Sequence, residues 1–491
     1  MEASTARRDF DHLREHSIGL PGVLFQSITH MAPAAAVAYS LYISVPHAGA
    51  ALPLSVGLAL AACLLAANSI GQLAKELPSA GGLYTYAART LGPYAGWMVA
   101  WLFLLFEPLV APFLFLECGW AMHEVMANEV GWHYSGQWWI WVSITAAIVF
   151  LLTYRDVRIS TRAGVILGIF EIGVFAALAI WILISNAGDL TLQPFNPNHA
   201  PEGAFTGVGK GMVFAILAFI GFEASAPLGE EAKHPRKTIP RAVLFSCLAI
   251  GLFYVLLAYA WVIGSGGVDS FVKTAGASGD PWRALAKVFW AGGWVLVFAA
   301  IINSIIANSN AGFNAATRVF YAMARNGIAP RALARTHAQF KTPNVAIVFN
   351  TIVALVLSFA LGWKWGPLYG FIMLATAATV VVIIVYMLVM LGSTVFYLTE
   401  KRASFHPVLH LVFPLAGIVL FAFPLYYQYF PLPPYPIRYA AWFALAWIAG
   451  GLIIGLVLLR TRPDALRAGE RIYVEDETVS RAGGAEPVPA D

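Results

Sequence analysis

Four carboxylates and one imidazole stand inside stretches that are otherwise almost free of charge: Glu107, Glu117, Glu171, Glu223 and His30. Each of these stretches is apolar and long enough to cross a bilayer. A carboxyl group at that depth costs a few kcal/mol, so an intramembrane acid marks a functional site by default. Protonation lowers the cost, which suits a group that takes up and releases a proton. His30 lies in "SITHMAPAAA", where a hydroxyl, an imidazole and Pro33 interrupt the first apolar run. Glu223 lies in "GKGMVFAILAFIGFEASAPLGEE", where Gly221, Ser225 and Pro227 interrupt the sixth.

The two interruptions imply one chemistry. In lipid an unpaired N–H or C=O costs several kcal/mol, so irregular backbone persists only where it lines a cavity or meets a ligand. Pro33 has no N–H to donate and clashes with the preceding turn. Half-helix N-termini attract carboxylates, and freed carbonyls attract ammonium groups or cations. Paired breaks in corresponding helices point to a central solute site. The candidate substrate contacts are Ile28, Thr29, His30, Met31 and Ala32 in the first break, with Phe219, Ile220, Gly221, Phe222 and Glu223 in the second. The candidate proton carriers are Glu171, Glu223 and His30, the histidine because it titrates near neutral pH. For Glu171 a packing hydrogen bond competes with proton carriage. Glu223 has three readings: an ammonium contact, a clamp to the first helix, or a proton site. Interhelical hydrogen bonds are the expectation for Glu107 and Glu117.

These residues need elements to hold them. The chain has 491 residues, 59% hydrophobic and 11% charged, against about 25% charged in soluble domains. Lipid must therefore be the solvent for most of it. Twelve apolar runs read as transmembrane helices, over 20–46, 51–73, 94–123, 137–153, 163–185, 205–228, 240–264, 284–317, 343–361, 367–397, 407–427 and 437–460. The fold class is all-α and integral to the membrane. Of the 30 lysines and arginines, 24 fall on one side when the loops alternate. The positive-inside rule then places both termini in the cytoplasm. The breaks fall in the first and sixth runs, so helices 1–5 (20–185) and 6–10 (186–400) read as two repeats of inverted topology. Two added helices follow over 401–460. A short cytoplasmic segment precedes them at 1–19, and a polar, disordered tail follows from 461.

The net charge of +4 argues against a nucleic-acid partner. Cys63, Cys118 and Cys247 each lie within an apolar run, spaced for neither a disulfide framework nor a metal site. No phosphate loop, zinc spacing or nucleophile elbow stands out. The expectation is a non-enzyme without cofactor or metal and without an obligate protein partner, whose partners are a small solute, protons and lipid. Ser304, Asn308 and Ser309 offer oxygens that keep sodium coupling open.

Three stretches carry a resemblance. "FIGFEASAPLGEEAKHPRKTIPRAV" (219–243) resembles helix 6 and the following loop of amino acid–polyamine–organocation (APC) transporters. "ELPSAGGLYTYAARTLGP" (76–93) is similar to their loop between helices 2 and 3. "NAGFNAATRVFYAMARNGIAP" (310–330) is similar to the end of their helix 8. The resemblance implies the five-plus-five inverted-repeat fold and secondary active uptake of amino acids or amines through the inner membrane. It also implies alternating access, with helices 1, 2, 6 and 7 moving against 3, 4, 8 and 9. Proton-coupled members place a lysine where Glu171 stands, and the loop makes Glu230 a gate ion-pair partner. Many members have a glycine-rich first break; "SITHMAPA" instead resembles members that import putrescine. The expected function is proton-coupled amino acid import. The alternatives are a polyamine importer or an amino acid or amine exchanger of the same fold.

Overall fold

The computed structural model describes residues 18–466 apart from 80, 156–160, 230, 326–329, 338, 341 and 464–465. Glu230, most of the expected N-terminal segment and nearly all of the expected tail therefore lie outside the described residues. The chain folds into helices: Leu20–His30 (α1), Pro33–Ala35 (α2), Leu52–Glu76 (α3), Gly82–Leu91 (α4), Pro93–Val125 (α5), Trp138–Tyr154 (α6), Thr161–Ser185 (α7) and Ala204–Phe219 (α8). Beyond these come Pro235–Gly264 (α9), Phe271–Gly276 (α10), Pro281–Trp290 (α11), Trp294–Arg325 (α12), Asn344–Trp365 (α13), Pro367–Thr399 (α14), Phe413–Tyr427 (α15) and Arg438–Thr461 (α16). α2 runs on through a π turn at Ala36–Ser40 and a 3-10 turn at Tyr42–Ser44 to Val45–Ala48. Among the described residues nine helices are long and apolar enough to cross a membrane, and α6 and α8 are shorter apolar ones.

Two runs differ from expectation. The eighth, expected over 284–317, begins only at Trp294, because 281–290 form the separate α11. Pro281 starts that helix, and Asp280 caps it by accepting from Arg283 N at 3.1 Å. Its buried Trp282, Leu285 and Ala286 read as continuous with the next apolar run. The turn at Ala291 (φ 47°) and two glycines separate them. The sixth run, expected as a helix to 228, stops at Phe219 and continues as turns and a 3-10 segment, Ala226–Gly229.

The packing follows the repeat. α2 lies along α8, α3 along α9, α5 along α12 and α6 against α13. Each of the first four spans thus meets its counterpart five spans on, as two intertwined five-helix units require. α5 is the central strut, with Phe106 and Phe115 at its core. Pro108 and Pro112 lie inside it, and Ser358 of α13 donates to the Pro112 carbonyl at 3.2 Å. α16 is held to α5 by tryptophans: Trp97 Nε1 donates to Gly451 O (2.9 Å), Trp101 Nε1 to Trp447 O (2.8 Å) and Trp447 Nε1 to Trp101 O (3.0 Å).

A Cβ on Gly451 would sit 2.3 Å from the Trp101 ring. Gly451→Val should therefore part α16 from α5 at a cost of about 1–3 kcal/mol. A lowered melting temperature of the detergent-purified protein is the expected readout, and an unchanged one would refute the clamp.

Candidate substrate site

The first break is built by Pro33. α1 ends at His30, where Met31 N still donates to Ser27 O (3.0 Å) and Ala32 N to Thr29 O (3.2 Å). Ala32 then turns into the left-handed region (φ 48°, ψ 64°) before Pro33 starts the second half-helix. That conformation is unfavourable for a residue with a Cβ, so the surroundings must hold it. The second break follows Phe219. Ile220 is extended (φ −56°, ψ 128°), and Gly221 takes φ 115°. Glycine is required at that position twice over, since a Cβ would also sit 2.6 Å from the His30 carbonyl carbon.

The breaks are stapled to each other. Ser27 Oγ donates to Phe222 O at 2.8 Å and accepts from Ser225 N at 3.2 Å. The Tyr254 hydroxyl of α9 lies 2.8 Å from Met31 O and 3.0 Å from Ala218 O, so it can serve either freed carbonyl. Gly221 N donates to Glu223 Oε2 at 3.1 Å. Phe222 packs on Tyr386 of α14 and Phe219 edge-on to Tyr254.

Beside the first break lies a narrow cavity with about 20 Å³ of room for water centres, enough for roughly one water. His30, Met31, Ala32, Ala35, Ala36 and Ser40 line it from the first span, and Val110, Phe113, Leu114 and Glu117 from α5. Leu217, Ile220 and Asn308 complete it, without a lysine or arginine. Of the ten expected contacts, His30, Met31, Ala32 and Ile220 reach this cavity. Ile28 is core and Thr29 half-buried outside it, while Phe219, Gly221, Phe222 and Glu223 form the wall behind. The acids are spread out. Glu107 Oε2 lies 4.0 Å from His30 Nε2. Glu171 is buried on α7 facing Ser304 and Asn303 of α12, with one oxygen left without a partner.

Contacts bridge elements at both faces. On the basic face Ile18 N donates to Glu231 O (3.0 Å) and Lys233 N to Ile18 O (2.8 Å), and Arg318 of α12 pairs with Glu231 at 3.7 Å. On the opposite face the buried Arg283 joins Glu129 to Asp280, and Lys287 pairs with Glu129 at 2.6 Å. A cavity with room for about one water has to enlarge to admit a solute.

Ser27 and Tyr254 were not among the expected residues. Ser27 opens the quoted break but lies one helical turn before its centre. Tyr254 sits in "GLFYVLLAYAW", indistinguishable there from packing aromatics.

The model of the family described as "Amino acid permease" matches residues 22–465. The chain belongs to the amino acid permease family. It is 25% identical over 312 residues to the low-affinity putrescine importer PlaP of Escherichia coli K12, covering 62% of this chain and 66% of that protein's length. It is 29% identical over 338 residues to the branched-chain amino acid permease BcaP of Bacillus subtilis, covering 63% and 67%. To the serine/threonine exchanger SteT of the same organism it is 26% identical over 346 residues, covering 68% and 73%. This permease is therefore a multi-pass membrane transporter of small solutes rather than an enzyme.

Gly221→Ala forces a Cβ into the His30 backbone from a conformation that alanine resists. The expected result is transport reduced at least about tenfold, with protein still in the membrane fraction. Wild-type uptake by that variant would show that the breaks need not touch.

Proposed function

We propose that this permease imports amino acids through the cytoplasmic membrane, driven by protons, with both termini in the cytoplasm. The observation that carries the reading is the face-to-face stapling of two interrupted helices beside a cavity that the first of them lines. In this reading the half-helix that begins at Pro33 offers the N–H groups of Ala34 and Ala35 to a substrate carboxylate, since these have no partner within the helix. The freed carbonyls of Met31 and Ala218 offer acceptors to an ammonium group. Both share the Tyr254 hydroxyl, so a substrate amine that engages one releases the hydroxyl to the other.

Glu171 is the proposed proton carrier. It is buried, incompletely bonded and set against α12, while α7 packs on both halves of the broken first span. Loading a proton there alters the contact between α7 and α12, and the packing of α7 on both halves of the first span carries the change to the break. Glu223, already holding Gly221 N, and His30, beside Glu107, are the proposed partners in the proton path. Alternating access then requires the latches to open one at a time: Glu231–Arg318 with the Ile18 bridge on the cytoplasmic side, and Arg283–Glu129 on the other.

A second reading is an amine importer of the same fold. It is favoured by Glu117 in the cavity wall and by the similarity to a putrescine importer.

In proteoliposomes with an inward proton gradient and no sodium, labelled leucine or alanine should accumulate, and a protonophore should abolish accumulation. Glu171→Gln should lose the gradient-driven component while keeping counterflow exchange with preloaded substrate. Full accumulation by that variant, or accumulation that needs sodium, would overturn the coupling assignment.

A further inference from the structure

The end of the cavity remote from Pro33 has a chemistry of its own. His30 is level with Glu107, 4.0 Å away. Glu117 lies ten residues beyond Glu107 on α5, about 15 Å at 1.5 Å per residue, and Ser40 lies past the break on the first span. Glu117 and Ser40 both line the cavity. On α5 the lining set Val110, Phe113, Leu114 and Glu117 has the i, i+3, i+4, i+7 spacing of a single helix face. Glu117 is 2% exposed, and its Oε1 has no hydrogen-bond partner; neither has the buried Tyr39 hydroxyl or Asn308 Oδ1.

An aromatic cluster sits one helical turn from that carboxylate, behind the residues that line the cavity. Trp120, one turn on along α5, lies 4.9 Å from Tyr39 and 5.4 Å from Tyr42 of the first span. Phe113 lies one turn back and also lines the cavity. The neighbouring side chain on α5 serves packing instead, since Cys118 meets the Thr145 hydroxyl of α6 at 3.1 Å. Glu117 thus turns away from its helix neighbour and into the cavity, where no cation of the protein answers it. A buried polar group with no partner is costly. A carboxylate beside ring faces is the environment that binds an ammonium, through charge-assisted hydrogen bonds and cation–π attraction.

We propose that Glu117, with Trp120 and Tyr39, binds a protonated primary amine at the end of the substrate remote from the helix break. The preferred cargo is then an amine-bearing solute, a linear diamine or an amino acid with a basic side chain. This rests on the import reading above and adds the substrate class to it.

The test is equilibrium binding to the purified full-length permease, with putrescine, lysine and leucine as probes. The wild type should favour putrescine or lysine over leucine. Glu117→Gln should lower the ratio of amine to leucine affinity by about tenfold or more, the loss of one buried charge-assisted contact. Glu117→Asp should restore most of that ratio, and Trp120→Leu should lower it about threefold or more. If Glu117→Gln does not purify as a monodisperse species, the aspartate and leucine variants carry the test. A wild type that favours leucine, or a Glu117→Gln protein that keeps an amine preference, overturns the proposal. Proton-driven leucine uptake without amine preference would overturn it while leaving the import reading intact. No binding of any probe would overturn both.

Discussion

A backbone carbonyl or amide that leaves a helix inside a membrane has no water to turn to, and the architecture of this permease is arranged around that constraint. Pro33 and Gly221 open two helices at points that pack against each other, and the groups they free are met locally. One tyrosine hydroxyl stands between the carbonyls of Met31 and Ala218, and one serine hydroxyl both donates to Phe222 and accepts from Ser225. These bonds cross from one repeat to the other, or from a break to its bundle neighbour α9. Irregular backbone is therefore stable here only as a pair: straightening either helix would strand the partner groups of the other.

The same constraint gives the breaks their usefulness to a transporter. Tyr254 has one proton and two carbonyls within reach, so at any moment one acceptor is incompletely served. An incoming amine completes the set, and its binding is coupled to how the two half-helices sit. The latches at the two faces belong to different pairs of elements. One ties Ile18 to the loop after α8 and that loop to α12; the other ties Glu129, just past α5, to α11. Opening one leaves the other's partners in place, which alternating access requires. Arg318 is largely exposed and Glu231 largely buried, so parting the pair returns the guanidinium to water and leaves the carboxylate to be satisfied within the protein.

Much of this was legible in the sequence, and the legible parts share a cause. Hydropathy alone located the helices because lipid penalises polar residues strongly. The breaks stood out for the same reason: Pro33, His30, Gly221 and Glu223 are conspicuous against an apolar background. What stayed hidden used residues that do not stand out. Ser27 and Tyr254 look like ordinary helix content. α11 hid because Trp282, Leu285 and Ala286 bury against the bundle and so extend the next apolar run backwards. The sixth run concealed its length of irregular chain, since Phe219, Ile220 and Phe222 are apolar in any conformation. Glu117 was visible as an acid. Its setting was not, because the cavity wall opposite it is built by His30 to Ser40 of the first span, far away in sequence.

The four buried acids show how position on a shared scaffold separates chemistry that composition leaves equivalent. Glu223 is held by the backbone of its own break through Gly221 N, so any change in its charge acts first on the local turn. Glu107 faces His30 at the level of the first break, where an acid and an imidazole can share a proton without a net buried charge. Glu171 faces neutral hydroxyl and amide groups on α12, a setting in which its charge state alters how α7 and α12 meet. Glu117 lines a cavity that has Phe113 in its wall and no lysine or arginine. A charge there is best answered from outside the protein, and a solute that brings an ammonium supplies what the fold leaves out. On this reading proton and substrate occupy different acids, so that each can be bound without displacing the other, and coupling between them has to pass through the broken helix that touches both.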